Sequence, residues 1–205
     1  MGSVRVKRKT ARNDGNIVGL REEPQHASGT SEADIAVRIS EALATRLSNF
    51  TVETGKSLLY KIEVNAQGKL SHTAEASPAR GQYAFQTDIL ISLQAAPLVV
   101  IELKVGSFSS HDVILYSAKA ARHKSIYPYL RYGFAVMTPS GLGRRFVTHN
   151  EAFDFAIAAP DLETIVADLA PTVKRQAAYA ERLIALTGSA RCTMRRYEES
   201  VEWET

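Results

Sequence analysis

The segment from Gln86 to Phe108, QTDILISLQAAPLVVIELKVGSF, constrains the fold more than any other part of the chain. It includes most of one apolar run, roughly 84–93, and the whole of a second, 97–105, and both have the composition of buried strands. The second run leads straight into Glu102-Leu103-Lys104 instead of ending in turn residues. Charges at the end of a buried strand carry a desolvation cost unless another group compensates them. The segment therefore predicts two neighbouring strands with a chemically active end.

The sequence before this segment predicts a helix and a set of short strands. The stretch TSEADIAVRISEALATRL has apolar residues at helical spacing, with Thr30 or Ser31 as its cap and acids in its first turn. The stretches FTVETG, SLLYKIEVN and KLSHTAEA are short and rich in β-branched and aromatic residues, with a hairpin turn expected at 66–68.

The sequence after it predicts further helices and strands. A helix is expected from a cap at Ser110 to the region just before Pro128, followed by a strand in YGFAVMT. RRFVTH and FDFAIAA are predicted as two more strands, and 161–187 as a helix pair broken or kinked at Pro171. This order of elements predicts an α/β domain with a single mixed β-sheet flanked by helices and with helices at its C-terminal end.

The domain is expected to cover residues 30–187, between an N-terminal arm (1–29) and a C-terminal tail (188–205). The net charge of +3 is too small to indicate a nucleic-acid partner by itself. The arm nevertheless begins with five cations and no acid: Arg5, Lys7, Arg8, Lys9 and Arg12. Two interpretations of the arm stay open, a contact to a phosphate backbone and a solvated tail.

Several classes of protein are excluded by composition. The single cysteine, Cys192, allows no intrachain disulfide and no cysteine-based zinc site, and the histidines have no zinc spacing. No apolar run approaches the roughly 18 residues of a membrane span. The basic start lacks the apolar stretch of a secretory signal, so a cytoplasmic protein without a membrane partner is expected.

Asp88, Glu102 and Lys104 can converge at the end of the two predicted strands. Glu102 and Lys104 share a face because side chains alternate along a strand. A hairpin register that pairs Asp88 with either of them brings all three groups to that face, whereas pairing with Leu103 does not. Two carboxylates and the Leu103 carbonyl would suit Mg²⁺, for which Mn²⁺ can substitute. The alternative is a surface salt bridge beside a solvated Asp88.

The arrangement of Asp88, then Glu102-Leu103-Lys104 on the next strand, then a helix resembles the PD-(D/E)xK nuclease superfamily, which has the restriction-endonuclease-like fold. The resemblance covers about residues 30–140, and Thr87 stands in place of the proline of the motif, which many members lack. It implies that Asp88 and Glu102 bind the metal and that Lys104 assists the attacking water.

The resemblance also suggests roles for residues outside the motif. Such nucleases often add an acid from the first helix, and Glu32 is the best match, although it can equally be a helix-start acid. The helix after the motif often flanks the site, so Tyr116 and Lys119 are candidates for phosphate contacts, against the alternative of a solvated face. Arg144 and Arg145 are DNA-backbone contacts or surface charges.

The sequence therefore predicts a Mg²⁺-dependent DNA endonuclease of restriction or repair type that hydrolyses phosphodiesters without a covalent intermediate. Cutting both strands would call for a homodimer, because one site cuts one strand. The alternative function is a catalytically silent nuclease fold that binds DNA or serves in an assembly.

Overall fold

The computed structural model describes residues 31–70, 78, 83–188 and 195. The N-terminal arm and nearly all of the C-terminal tail lie outside these residues. The strands are β1 (Thr51–Thr54), β2 (Ser57–Leu59), β3 (Ala84–Gln86), β4 (Ile89–Leu93), β5 (Ala96–Val105), β6 (Arg131–Met137) and β7 (Phe155–Ala159). The helices are α1 (Glu32–Arg46), α2 (Ser110–Ile126), α3 (Gly143–His149) and α4 (Leu162–Thr187).

Five strands form one mixed sheet in the order β1-β4-β5-β6-β7. β4 pairs antiparallel with both β1 and β5, whereas β5, β6 and β7 are parallel. The parallel connections pass through α2 and α3, while β2 and β3 form a separate two-stranded sheet. The predicted fold class, α/β with a mixed sheet flanked by helices, is confirmed.

β5 is buried on both faces because helices cover both sides of the sheet. Val99, Ile101 and Leu103 belong to the core cluster under α1 and α4, and Val100 belongs to the cluster under α2. Both clusters contain fully buried aliphatic side chains, each of which contributes about 1.5–3 kcal/mol on burial. By alternation Glu102 lies on the α2 face.

The β4–β5 hairpin has the register that places Asp88 opposite Glu102, one of the two expected registers. The ladder pairs Ile89 with Ile101, and Asp88 is one step beyond it. Pairing Asp88 with Glu102 predicts a five-residue loop over 93–97, but Leu93 pairs with Ala96 around a two-residue turn. The register shifts after Ile91, which absorbs the difference in length.

The first apolar run, expected as one strand over 84–93, is divided between two sheets. β3 pairs with β2, whereas β4 pairs with β1 and β5. Thr87 lies between them and is anchored to the Lys56 carbonyl by its N–H (2.8 Å) and its hydroxyl (2.9 Å). The chain therefore changes sheets immediately before Asp88.

The predicted strand in RRFVTH is wrong, because these residues form α3. β-Branched Val147 and Thr148 favoured a strand, but Val147 is 73% exposed. Phe146 instead packs on Phe134 and Phe153, with ring centroids 6.2 and 6.0 Å apart. Tertiary packing of one aromatic ring outweighs the local propensity. The strand predicted in FDFAIAA is confirmed as β7.

Two other helix predictions need correction. The cap of α2 is Ser109 rather than Ser110, and its hydroxyl accepts the Asp112 N–H at 3.2 Å. The predicted helix pair is one helix, α4, which contains Pro171. Pro171 and Ala167, whose carbonyl loses its intrahelical donor, are both exposed, so water can replace the missing bond. The cap of α1 is Ser31, as one of the two predicted options.

None of the helices in the described ranges combines the length and the hydropathy that a bilayer span requires.

Candidate active site

Asp88 and Glu32 satisfy backbone groups at the end of β5. β4 starts opposite Ile101, so the N–H groups of Leu103 and Val105 extend beyond it. The Leu103 N–H donates to Asp88 Oδ2 at 2.8 Å, and the Val105 N–H donates to Glu32 Oε1 at 3.1 Å. The Leu103 carbonyl lies on the same edge as its N–H, because both groups of a strand residue face the same neighbour. The two acids therefore lie along the open edge of β5.

Glu102 is the most buried acid of the site, with 1% of its surface exposed. Its Oε1 accepts from the Tyr132 hydroxyl at 2.6 Å and from Lys119 Nζ at 2.7 Å. Burial raises the pKa of Glu102, and the nearby Asp88 carboxylate raises it further, against the opposing effects of Lys119 and Tyr132. Because both donors use Oε1, neither occupies Oε2.

Lys104 lies at the mouth of the site with 20% of its side chain exposed. Its Nζ is 3.3 Å from Glu32 Oε2 and 3.9 Å from Asp112 Oδ1, and it lies 5.8 Å from the centre of the Tyr116 ring. Burial lowers the pKa of Lys104, but Tyr116, Glu32 and Asp112 outweigh it and raise the pKa above 10.5. Lys104 is therefore a cation at neutral pH.

Tyr116 and Lys119 belong to the inner side of α2. The spacing of Ile114, Ala118 and Ala121 predicts an apolar core stripe on this helix, but that stripe is exposed, with Ile114 at 47% and both alanines open to solvent. Lys119 instead pairs with Glu102 and donates to the Gln86 carbonyl, whereas Tyr116 is half-buried. The two faces of the helix are thus the reverse of those predicted. The structure brings Lys119 to the carboxylates and gives it an internal role.

Arg144 and Arg145 are exposed residues of α3. Arg145 donates to the Phe108 carbonyl, and its guanidinium lies 6.0 Å from the Phe108 ring centre. Phe108 follows the end of β5 closely, so Arg145 is anchored at the same end of the sheet as Lys104. Arg144 forms no ion pair with any carboxylate in the described part of the chain.

Sequence reasoning missed Tyr132 and Asp112. Tyr132 lies on β6 in an otherwise apolar strand, and it is fully buried with a hydroxyl that requires a partner. A tyrosine on the strand next to β5 could have been predicted to contact Glu102. Asp112 serves first as a capping acid of α2, accepting from the Ser109 N–H at 2.7 Å, which conceals its second contact with Lys104.

The set of oxygens fits a hard cation that keeps several waters. Among the described residues, no three acidic, histidine or cysteine side chains form a ready metal site. Asp88, Glu102 Oε2 and the Leu103 carbonyl provide two carboxylates and one carbonyl, a donor set suited to Mg²⁺ with water completing the octahedron. Four acids lie near the two lysines Lys104 and Lys119: Glu32, Asp88, Glu102 and Asp112. The formal excess of two negative charges equals the charge of one divalent ion.

No protein-family model matches the chain, and no curated protein is significantly similar to it. The function is therefore inferred from the geometry of the chain's own residues.

Proposed function

We propose that this protein is a divalent-metal-dependent DNA endonuclease of the PD-(D/E)xK type. The observation that carries the proposal is the convergence of Asp88, Glu102 and Lys104 at the adjoining ends of two paired strands, with the Leu103 backbone between them. Asp88, Glu102 and the Leu103 carbonyl would hold Mg²⁺, or Mn²⁺ in its place. The ion would supply an acidified water and neutralise charge on a phosphoryl oxygen.

The protein's own groups have separate roles in this proposal. Lys104 would orient the attacking water and stabilise the negative charge that develops on the phosphate. Glu32 holds Lys104 in place through its Oε2 (3.3 Å) while its Oε1 accepts the Val105 N–H. Lys119 and Tyr132 hold one oxygen of Glu102 and leave the other free. Lys119 is thus a positioning residue rather than a DNA contact.

DNA contacts would come from the cations around this end of the sheet. Arg144 is exposed and has no carboxylate partner in the described residues, so it is available to a phosphate. Arg145 would contribute less, because Phe108 already holds it. Cleavage of both strands would require a homodimer. Restriction and repair are the roles that suit such an enzyme in the cytoplasm.

A plasmid-cleavage assay tests the proposal. Cleavage should require Mg²⁺ or Mn²⁺ and stop in EDTA. Lys104→Ala should slow single-turnover cleavage at least about a hundredfold, the usual scale for one electrostatic group in an active site. Its effect on DNA binding in Ca²⁺ should be only a few fold, because Lys104 acts mainly in the transition state. Lys174→Ala, at an exposed position of α4, is the matched control. Normal cleavage by Lys104→Ala would place the chemistry elsewhere.

Metal binding is tested separately by calorimetry with Asp88→Asn and Asp88→Ala. The amide oxygen of Asn can still accept the Leu103 N–H, whereas Ala leaves that group without its partner. Both variants should lose Mg²⁺ binding, but only Ala should lower the free energy of unfolding, by about 1–3 kcal/mol. If Asp88→Asn binds Mg²⁺ as wild type does, Asp88 is only a structural cap of the strand.

A second candidate function is a catalytically silent nuclease fold that binds DNA or serves in an assembly. One observation favours it: Asp88, Glu32 and Glu102 each have an internal partner, so the fold satisfies its acids without a metal. The same assays distinguish the two functions. DNA binding without cleavage under any divalent metal would support the silent fold.

A further inference from the structure

A cluster of three aromatic rings lies on the small β2–β3 sheet. Tyr60 follows β2, and Tyr83 and Phe85 lie before and within β3. The Tyr60 ring stacks on Phe85 with centroids 3.9 Å apart and an angle of 14°, and Tyr83 meets Tyr60 edge-on at 6.3 Å. All three side chains are only half-buried. We name Tyr60, Tyr83 and Phe85 the aromatic platform.

Cations lie over the aromatic platform. The Arg122 guanidinium is 5.9 Å from the Tyr60 ring centre, and Lys61 Nζ is 4.8 Å from that of Tyr83. Lys61 also forms an ion pair with Glu63 at 2.7 Å, which neutralises it. Arg122 is exposed and forms no ion pair with a carboxylate of the described residues. Arg122 is therefore the cation of this cluster that can bind a phosphate.

The aromatic platform is connected to the candidate active site through two elements. On β3, Phe85 precedes Gln86, whose carbonyl accepts a hydrogen bond from Lys119, the partner of Glu102. On α2, Arg122 follows Lys119 by three residues, a rise of about 4.5 Å along the helix axis. For a nucleic acid strand with a phosphate on the metal that Asp88 and Glu102 would hold, Tyr60 and Arg122 therefore lie on the side of a neighbouring nucleotide.

We propose that the aromatic platform binds an unstacked nucleobase next to the phosphate that is cut, with Arg122 on the adjoining phosphate. The inference rests on the proposed nuclease function, and it narrows the substrate to DNA with an unpaired or single-stranded nucleotide at the site.

Physical reasons favour an unpaired base over duplex DNA. In a duplex each base face is already covered by its neighbours, so a half-buried ring has no base face to contact. A single-stranded base has an open π-face, and aromatic side chains beside cations are the usual means of binding it without sequence preference. The Arg122 guanidinium lies 5.9 Å from the centre of the Tyr60 ring, and its exposed position allows it to move aside to a phosphate.

Fluorescence titrations of the full chain in Ca²⁺ test this inference. The probes are a short single strand carrying 2-aminopurine and the same sequence as a duplex. Tyr60→Ala should weaken single-strand binding about 5- to 150-fold, the range that alanine substitution of a stacking residue gives, and abolish the quenching of 2-aminopurine. Tyr60→Phe keeps the ring and should bind within about twofold of wild type. Tyr179→Ala, an exposed tyrosine of α4, is the control and should change nothing.

Arg122→Ala gives a second test that leaves the rings in place. It should reduce the slope of log K against log salt for single strands by about 0.7, the loss of one phosphate contact. Arg182→Ala, at an exposed position of α4, is its control.

The inference is overturned if neither Tyr60→Ala nor Arg122→Ala weakens single-strand binding, or if both weaken duplex binding equally. If wild type cuts duplex DNA normally and Tyr60→Ala leaves all binding unchanged, this inference alone fails. If wild type binds neither DNA form, the proposed function fails with it.

Discussion

Replacing Lys119 with Met tests whether the buried ion pair is the main support of Glu102. The carboxylate is 1% exposed and lies 2.7 Å from Lys119 Nζ, so removing the ammonium leaves a buried charge with only the Tyr132 hydroxyl. Breaking a buried pair from one side costs about 3–5 kcal/mol. The pKa of Glu102 is already raised, so protonation relieves part of this cost. We expect the lower end, a loss of about 3 kcal/mol in the free energy of unfolding.

The assay is urea unfolding followed by circular dichroism in EDTA, as a double-mutant cycle with Glu102→Gln. The double variant has no buried charge, so it should be more stable than Lys119→Met alone, with a coupling of at least about 2 kcal/mol. Lys56→Met, which removes an exposed pair with Glu53, should cost less than about 1 kcal/mol. A loss below 1 kcal/mol in Lys119→Met, or a coupling near zero, would refute the assignment of Lys119 as the counterion of Glu102.

Three further changes test the stability of the fold. Burial lowers the pKa of His123 from 6.5 to about 4. The free energy of unfolding should therefore fall by about 3 kcal/mol as the pH falls from 6.5 to 4, because the unfolded chain binds the proton first. Urea titrations of His123→Leu should lack this loss. Gly133→Ala places a methyl 2.1 Å from Phe155 Cζ and should lower the melting temperature strongly, whereas Phe155→Leu in the same chain should recover part of it. Pro171→Ala restores a helical hydrogen bond and should raise the free energy of unfolding by about 1–3 kcal/mol, measured by denaturant unfolding.

The fold was predictable where the sequence pattern and the packing agree. In α1, Ile35, Ile39 and Leu43 are all buried, and Ser31 caps the helix as its composition indicates. The charges after the apolar run of β5 also correctly indicated an end of the sheet where acids and lysines meet.

The sequence failed where packing alone decides. In α2, the small Ala118 and Ala121 resembled a core stripe, whereas the buried residues are Val113, Ser117, Ala120 and His123. The Ser117 hydroxyl explains its burial by accepting the backbone N–H groups of Glu151 and Ala152, each at 2.8 Å, a contact 34 or 35 residues away. Helical periodicity contains no information about such a long-range partner, so it could not identify the inner face or the contact of Lys119.

The fold itself accounts for some of the acids at the end of β5 but not for all of them. Asp88 and Glu32 accept N–H groups that β4 does not reach, so a stable strand edge alone would account for them. Glu102 accepts no backbone group and is buried on the face that carries Val100 and Leu90. An apolar side chain there would usually be neutral or more stable than a buried ion pair. Stability therefore gives no reason for a carboxylate at this position, which supports the proposed role of Glu102 as a metal ligand.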